Sequence, residues 1–235
     1  MKNKSLVVAK TNFRNMKLAY IITAIVIGCM LIQDIVYIVL SFFNIYPGAS
    51  SSTIGIGNYL WLLIILSAVF IPAMNFRKMM NLGAKRKDFF TGCFINYLIL
   101  SAAASLACII LYYSYERFIL SYYAGWTLNP LYWFGWIGND PVIAFFQQFA
   151  FLFLLACVIH TLTAAQDRWY GWVADMVIIA IISVFTPIAP LRAALVWFFN
   201  LIIFNSNAFL QIIVCLILAV AVYSLNTLIF ARKTI

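Results

Sequence analysis

Hydrophobic residues in this chain fall in long unbroken runs, without the alternation of strands or the single stripe of a soluble helix. Six runs stand out: residues 18–43, 59–74, 90–113, 142–164, 172–187 and 208–230. A bilayer-crossing helix needs about 20 mostly apolar residues. A helix that is apolar all round has no face meant for water. The pattern predicts an all-α membrane protein of six transmembrane helices. A seventh apolar stretch, residues 193–204, is interrupted only by Asn200 and is too short to cross a hydrocarbon core of about 30 Å. Pro187, Pro190 and the turn Asn205-Ser206-Asn207 bound it. Residues 189–207 therefore read as an outer re-entrant helix before the last span, sheltered by protein as non-spanning backbone at membrane depth must be.

Ahead of the first run, Leu6, Ala9, Phe13 and Met16 recur at helical spacing, with Lys10, Arg14 and Lys17 along one flank. Residues 1–17 thus read as an interfacial helix lying on the membrane. The apolar run behind them is too long for the core of a signal peptide. The whole chain, 1–235, reads as one transmembrane domain.

Composition sharpens this. Hydrophobic residues make up 66% of the chain, charged residues 9%, and the mean hydropathy is +1.03. A soluble protein carries about a quarter charged residues, so a soluble enzyme and a disordered tail are excluded. The net charge of +9 would suggest nucleic acid in another setting. Here the basic residues cluster at span ends, and no face is large enough for a duplex. If the N-terminus is cytoplasmic, thirteen of the 15 Lys and Arg fall on inner segments, and only Arg117 and Arg192 fall outside. The positive-inside rule then puts both termini in the cytoplasm of a multi-pass cell-membrane protein. Trp169 and Trp172 fit an inner aromatic belt, and Trp126, Trp133, Trp136 and Trp197 an outer one.

Candidate chemistry is sparse. Cys29, Cys93, Cys108, Cys157 and Cys215 lie in or beside apolar runs, without metal-ligand spacing or a loop disulfide framework. No phosphate-binding loop, no GxSxG elbow and no HExxH occurs, and His160 is the single histidine. No residue reads as catalytic, and no metal or cofactor site is expected in this chain. His160 and Asp175 lie about one turn to one and a half turns from the short loop joining the fourth and fifth runs. They could pair, as a structural pair near the headgroups or as an inner latch. Asp34, beside Gln33, lies toward the outer leaflet at the depth of Gln147 and Gln148. It faces either the interior or a wet cavity, or it snorkels to water.

The loop after the second run is the most basic segment, with Arg77, Lys78, Lys85, Arg86 and Lys87. Contact with anionic lipid accounts for these charges. It does not account for the order of the other residues. Asn81-Leu82-Gly83 can stop one helix, Asp88 can cap the next, and Phe89-Phe90 begin the third span. This reads as a short helix between two spans, shaped for docking.

Leu82-Gly83-Ala84-Lys85-Arg86-Lys87-Asp88-Phe89-Phe90 resembles the coupling segment of the permease subunits of type-2 ATP-binding-cassette exporters, commonly Leu-Gly-x-Ser-Arg-x-x-Phe-Phe. Leu82, Gly83, Arg86, Phe89 and Phe90 match, and Lys85 replaces the frequent hydroxyl residue. The layout of interfacial helix, six spans and re-entrant element is similar too. The resemblance implies a permease that pairs with a second copy or a sister subunit. It also implies that residues 75–90 act as a coupling loop to a separate ATPase subunit, which binds ATP and Mg. Gln166 and Arg168, in the loop 166–170, would make a smaller contact. The path for cargo would be lined from Asp34, Asn58, Tyr97, Gln147, Gln148, Gln211 and Asn226. That amide-rich and aromatic set suits an amphipathic or hydrophobic cargo, a membrane-active peptide before a sugar or an ion. The alternative is a non-transporting immunity or sensor scaffold that binds a partner protein.

Overall fold

The computed structural model describes residues 4–43, 53–119 and 127–232. Parts of the expected first outer turn, Trp126, Lys2 and Lys233 lie outside the described residues. The chain folds as α1 (Lys4–Asn15) and α2 (Lys17–Phe42), then α3 (Tyr59–Phe70), a π turn (Ile71–Asn75) and α4 (Phe76–Asn81). Next come α5 (Arg86–Leu111), a second π turn (Tyr112–Glu116) and α6 (Arg117–Ile119). The short α7 (Pro130–Trp133) precedes α8 (Pro141–Ala165), α9 (Trp169–Phe185), α10 (Ala189–Ile202) and α11 (Ala208–Arg232). Two-residue strands, β1 (Thr53–Ile54) and β2 (Thr127–Leu128), pair in parallel and tie two connecting segments together.

Five helical segments are long and apolar enough to cross a membrane: Lys17–Phe42, Ile56–Asn81, Arg86–Glu116, Pro141–Ala165 and Ala208–Ile229. α8 is the central one, packing against α11, α5 and α3, while α5 packs against α8, α3 and α1. α9 has 17 residues, a length of about 25 Å at 1.5 Å per residue, and is followed by α10 at a bend of 118°. The two together make a sixth span only when counted as one. α9 has a single buried residue, Gly171.

The second span runs further than its apolar stretch suggests. Pro72 has no N–H to give the helix ladder, and the helix widens into a π turn there instead of stopping. It then continues to Asn81, so Arg77 and Lys78 are helical. The helical piece in the basic loop is this continuation, α4, and the connection proper is only residues 82–85.

α1 is less superficial than its charge pattern implies. Val8, Ala9 and Asn12 are buried, while Leu6, assigned to the apolar stripe, is 55% exposed. The helix lies on α5, where Gly92 makes room: a Cβ at Gly92 would fall 2.8 Å from Val8 Cγ1 and 3.0 Å from the Ser5 carbonyl oxygen. Asn12 is held at that contact. Its Nδ2 donates to Cys93 Sγ at 3.5 Å, and its Oδ1 accepts from Asn75 Nδ2 at 3.3 Å. The aromatic belt needs one correction. Trp133, Trp169, Trp172 and Trp197 are exposed, but Trp136 is buried and donates from Nε1 to the Ile203 carbonyl at 3.0 Å. The indole N–H had a backbone acceptor within reach on the segment that follows α10, and burial won.

Gly92→Ala should therefore loosen α1, because backbone and a β-branched side chain must both move. A cost of about 1–3 kcal/mol is expected from overpacking, read as a lower melting temperature in detergent. Gly28→Ala, where an added Cβ meets nothing within 4 Å, should leave melting unchanged.

Candidate functional site

Two regions carry the polar chemistry: the basic end of the bundle, and a seam of hydrogen bonds inside it. At the basic end, α4 closes in a Schellman turn. Ala84 N–H donates to Met79 O at 3.0 Å and Gly83 N–H to Met80 O at 2.9 Å. The turn needs a left-handed residue, and Gly83 supplies it with φ +79°. Lys85 is extended and starts α5, with Phe89 N–H donating to its carbonyl at 3.0 Å. Asp88 sits in the first turn of α5, not at the cap, where its charge complements the helix dipole.

The five residues of the loop motif divide into two groups. Leu82 is 78% exposed at the tip, and Gly83 is exposed beside it. Phe89 is fully buried, edge-on to Phe76 at 5.3 Å. Phe90 packs on Tyr223 at 4.6 Å, and the Tyr223 hydroxyl donates to the Phe90 carbonyl at 2.8 Å. Arg86 is half-buried. The phenylalanines thus root the loop in the bundle, and Leu82 is the apolar group it presents. Arg168, exposed, precedes α9 at the same end. Gln166 is half-buried, and its Nε2 donates to Asp175 Oδ2.

The seam joins α5, α8 and α11. The Tyr97 hydroxyl and His160 Nδ1 are 2.6 Å apart, and the Tyr223 ring lies 5.4 Å from the imidazole. Asn226 Nδ2 donates to Thr161 Oγ1 at 2.8 Å. Nearer the other end, Gln147 Nε2 donates to Gln211 Oε1 at 2.6 Å, and Gln147 Oε1 accepts from Asn139 Nδ2 at 2.8 Å. Gln211 Nε2 in turn donates to the Ile202 carbonyl at 3.1 Å. Tyr97, Gln147, Gln148, Gln211 and Asn226 were expected along a path, and each is at most 1% exposed. The amides of Gln147 and Gln211 are spent on each other, on Asn139 and on the Ile202 carbonyl. His160 and Asp175 were read as able to pair; at His160 Nδ1 the partner is Tyr97 and at Asp175 Oδ2 it is Gln166.

Asp34 and Asn58 belong to the end opposite the basic loop. Asp34 is buried and accepts from the Tyr115 hydroxyl at 3.1 Å, and Asn58 Nδ2 donates to the Leu128 carbonyl. Next to them is a carboxylate that sequence reasoning missed. Glu116 is 3% exposed and accepts from Gly57 N–H at 3.0 Å and from Asn129 Nδ2. The one signal for it was an acid at the end of an apolar run. Asn12 was missed as well, although it stands at i+4 from Val8 and i−4 from Met16 on the buried stripe.

Among the described residues no group of three or more His, Cys, Asp or Glu could hold a metal. Cys93, Cys108, Cys157 and Cys215 are buried free thiols, and Cys29 is exposed. No protein-family model, no curated protein and no solved structure matches the chain.

The Tyr97–His160 contact predicts strong coupling. In a double-mutant cycle of Tyr97→Phe and His160→Leu, the losses in melting stability should be non-additive by about 0.5–3 kcal/mol. Additive losses would show that the bond carries no energy.

Proposed function

We propose that this chain is the membrane subunit of an ATP-driven exporter. The basic end faces the cytoplasm together with both termini, and the turn at residues 82–85 docks a separate ATP-binding-cassette ATPase that holds ATP and Mg. In this reading α9 is the fifth span and α10 folds back as a re-entrant helix ahead of α11. Two copies, or this chain and a sister, form the working unit. The polar seam is buried within one chain, so the path for an amphipathic or hydrophobic cargo runs between subunits. A membrane-active peptide is the favoured cargo. ATP supplies the differential binding energy that shifts the paired subunits between states.

The observation that carries the reading is the exposed Leu82 on a rigid turn whose next residues, Phe89 and Phe90, are rooted in the bundle. In this reading Leu82 is the apolar anchor that enters the ATPase partner. Its rooting in α5 offers a mechanical link to the spans.

The test is co-purification with candidate ATP-binding-cassette ATPases, followed by hydrolysis assays with cargo peptides. Interface energy concentrates in a few apolar anchors, whereas rim charges mainly set encounter rates. Leu82→Asp and Gly83→Val should each lower ATPase retention about tenfold or more, ~1.4 kcal/mol. Lys85→Ala should change it less than about threefold, the effect of a rim charge. Full retention by both the Leu82 and Gly83 variants would overturn the docking role and leave the partner-binding scaffold.

A further inference from the structure

Six side chains on α5 and the π turn that follows it share one stripe: Tyr97, Ser101, Ser105, Cys108, Tyr112 and Glu116. At about 100° per residue, their positions fall within about 100° of one another. All but Tyr112 are buried. From Tyr97 to Glu116 the rise is about 28 Å at 1.5 Å per residue, close to the thickness of a hydrocarbon core. Five other helical hydroxyls, those of Thr11, Ser67, Thr91, Ser114 and Thr161, turn back on their own helix and donate to the carbonyl four residues earlier. Ser101 and Ser105 do not. Each of these two hydroxyls is fully buried and has no partner among the described residues. Close packing of α5 on α8 accounts for small residues there, but alanine would serve it as well. It does not account for the oxygens.

A second helix supplies the same kind of group. Gln148 of α8 has its amide within hydrogen-bond reach of the Cys108 thiol, and its buried Oε1 has no partner among the described residues. Both ends of the stripe meet groups that hold protons. At one end the Tyr97 hydroxyl lies 2.6 Å from His160 Nδ1. At the other, Cys108 and Glu116 face each other across Gly57. A Cβ at Gly57 would lie 3.4 Å from Glu116 Oε1 and 3.6 Å from Cys108 Cβ, so the bare glycine keeps the space between them open. A hydroxyl both donates and accepts, and can pass a proton forward while it takes one from behind. Side chains four residues apart are about 6 Å apart along a helix, the length of two hydrogen bonds. One water between each neighbouring pair makes the line continuous.

We propose that this stripe binds water and is a proton path, running between Glu116 and the Tyr97–His160 pair. Cys108 and Gln148 hold water by polar contact, and the hydroxyls, the waters and the imidazole pass the proton. At each step one O–H bond breaks as the next forms, and the hydroxyls then rotate back. The imidazole takes a proton on one ring nitrogen and releases one from the other. Beyond it, Thr161 and Asn226 are bonded at 2.8 Å, within about two turns of the basic ends of α8 and α11. Proton movement is then a second activity of the chain, and it does not depend on the ATPase-partner reading.

The experiment reconstitutes the purified full chain in liposomes that hold the pH-sensitive dye pyranine, with a potassium gradient and valinomycin to set the potential. The dye should report proton flux above that of protein-free vesicles. Threonine and valine have nearly the same shape, and only threonine carries a hydroxyl. Ser105→Thr should therefore keep the flux, and Ser105→Val should lose it down to the protein-free rate. Ser101→Thr and Ser101→Val give the same comparison one turn along. Gly57→Ala, whose methyl meets only ordinary contacts, should lower the flux by filling the space between Cys108 and Glu116. Ser67→Ala, at a hydroxyl spent on its own helix, should leave it unchanged. Variants are compared at equal amounts of monodisperse protein. Wild-type flux at the protein-free rate overturns the proposal. Equal flux through the threonine and valine variants at both positions overturns it as well.

Discussion

Inside a bilayer no water completes a hydrogen bond, so a polar side chain at depth is costly unless the protein supplies its partner. Four bonds at or just past α5 meet that demand, while its Asn96, Ser101 and Ser105 side chains are buried without a hydrogen-bond partner among the described residues. At the basic end its Cys93 receives Asn12. In the middle its Tyr97 bonds His160. Further along, its Cys108 thiol donates to the Gly57 carbonyl at 3.1 Å. Just past its end Glu116 takes the Gly57 amide. The four bonds tie α5 and the residues just past it to three parts of the chain, α1, α8 and the segment before α3, the last of them twice through Gly57.

The functional reading follows from what α5 begins with. Its first residues are the end of an exposed turn, and its second turn is buried against Phe76 and Tyr223. A displacement of Leu82 cannot remain local, because Phe89 and Phe90 are embedded in the same packing that holds α4 and α11. By contrast α9 buries only Gly171 and α10 only Ile202. That pair has few buried apolar contacts, which places it at the low end of local stability within the described residues.

The spans were legible because all-round apolarity is a strong, local signal. The ends of α2, α8 and α11 fall within about two residues of the apolar runs, the usual uncertainty of helix boundaries. What escaped were features set by partners distant in the chain. The second apolar run ends at residue 74, but the helix takes up Pro72 in a π turn and goes on to Asn81. Trp136 looked like an interfacial anchor until the Ile203 carbonyl offered it a bond. The amides Gln147, Gln211 and Asn226 were read as lining a path, and nothing in their spacing told that Gln147 would bond Gln211 or that Asn226 would bond Thr161. His160 and Asp175 were matched by depth alone, while depth also allowed Tyr97 and Gln166. The loop motif was found from its residues, but the inward turn of Phe89 required the position of Phe76.

All of the functional account depends on which water phase the turn at residues 82–85 faces, since an ATPase and its nucleotide are available on one side only. The most direct measurement is labelling of single cysteines at Lys85 and at Asp140 with an impermeant thiol reagent, in intact cells and in a background without the exposed Cys29. The account predicts that the cysteine at 140 reacts in intact cells and that the one at 85 reacts only after permeabilisation. Reaction of the cysteine at 85 from outside, with the one at 140 protected, would contradict it.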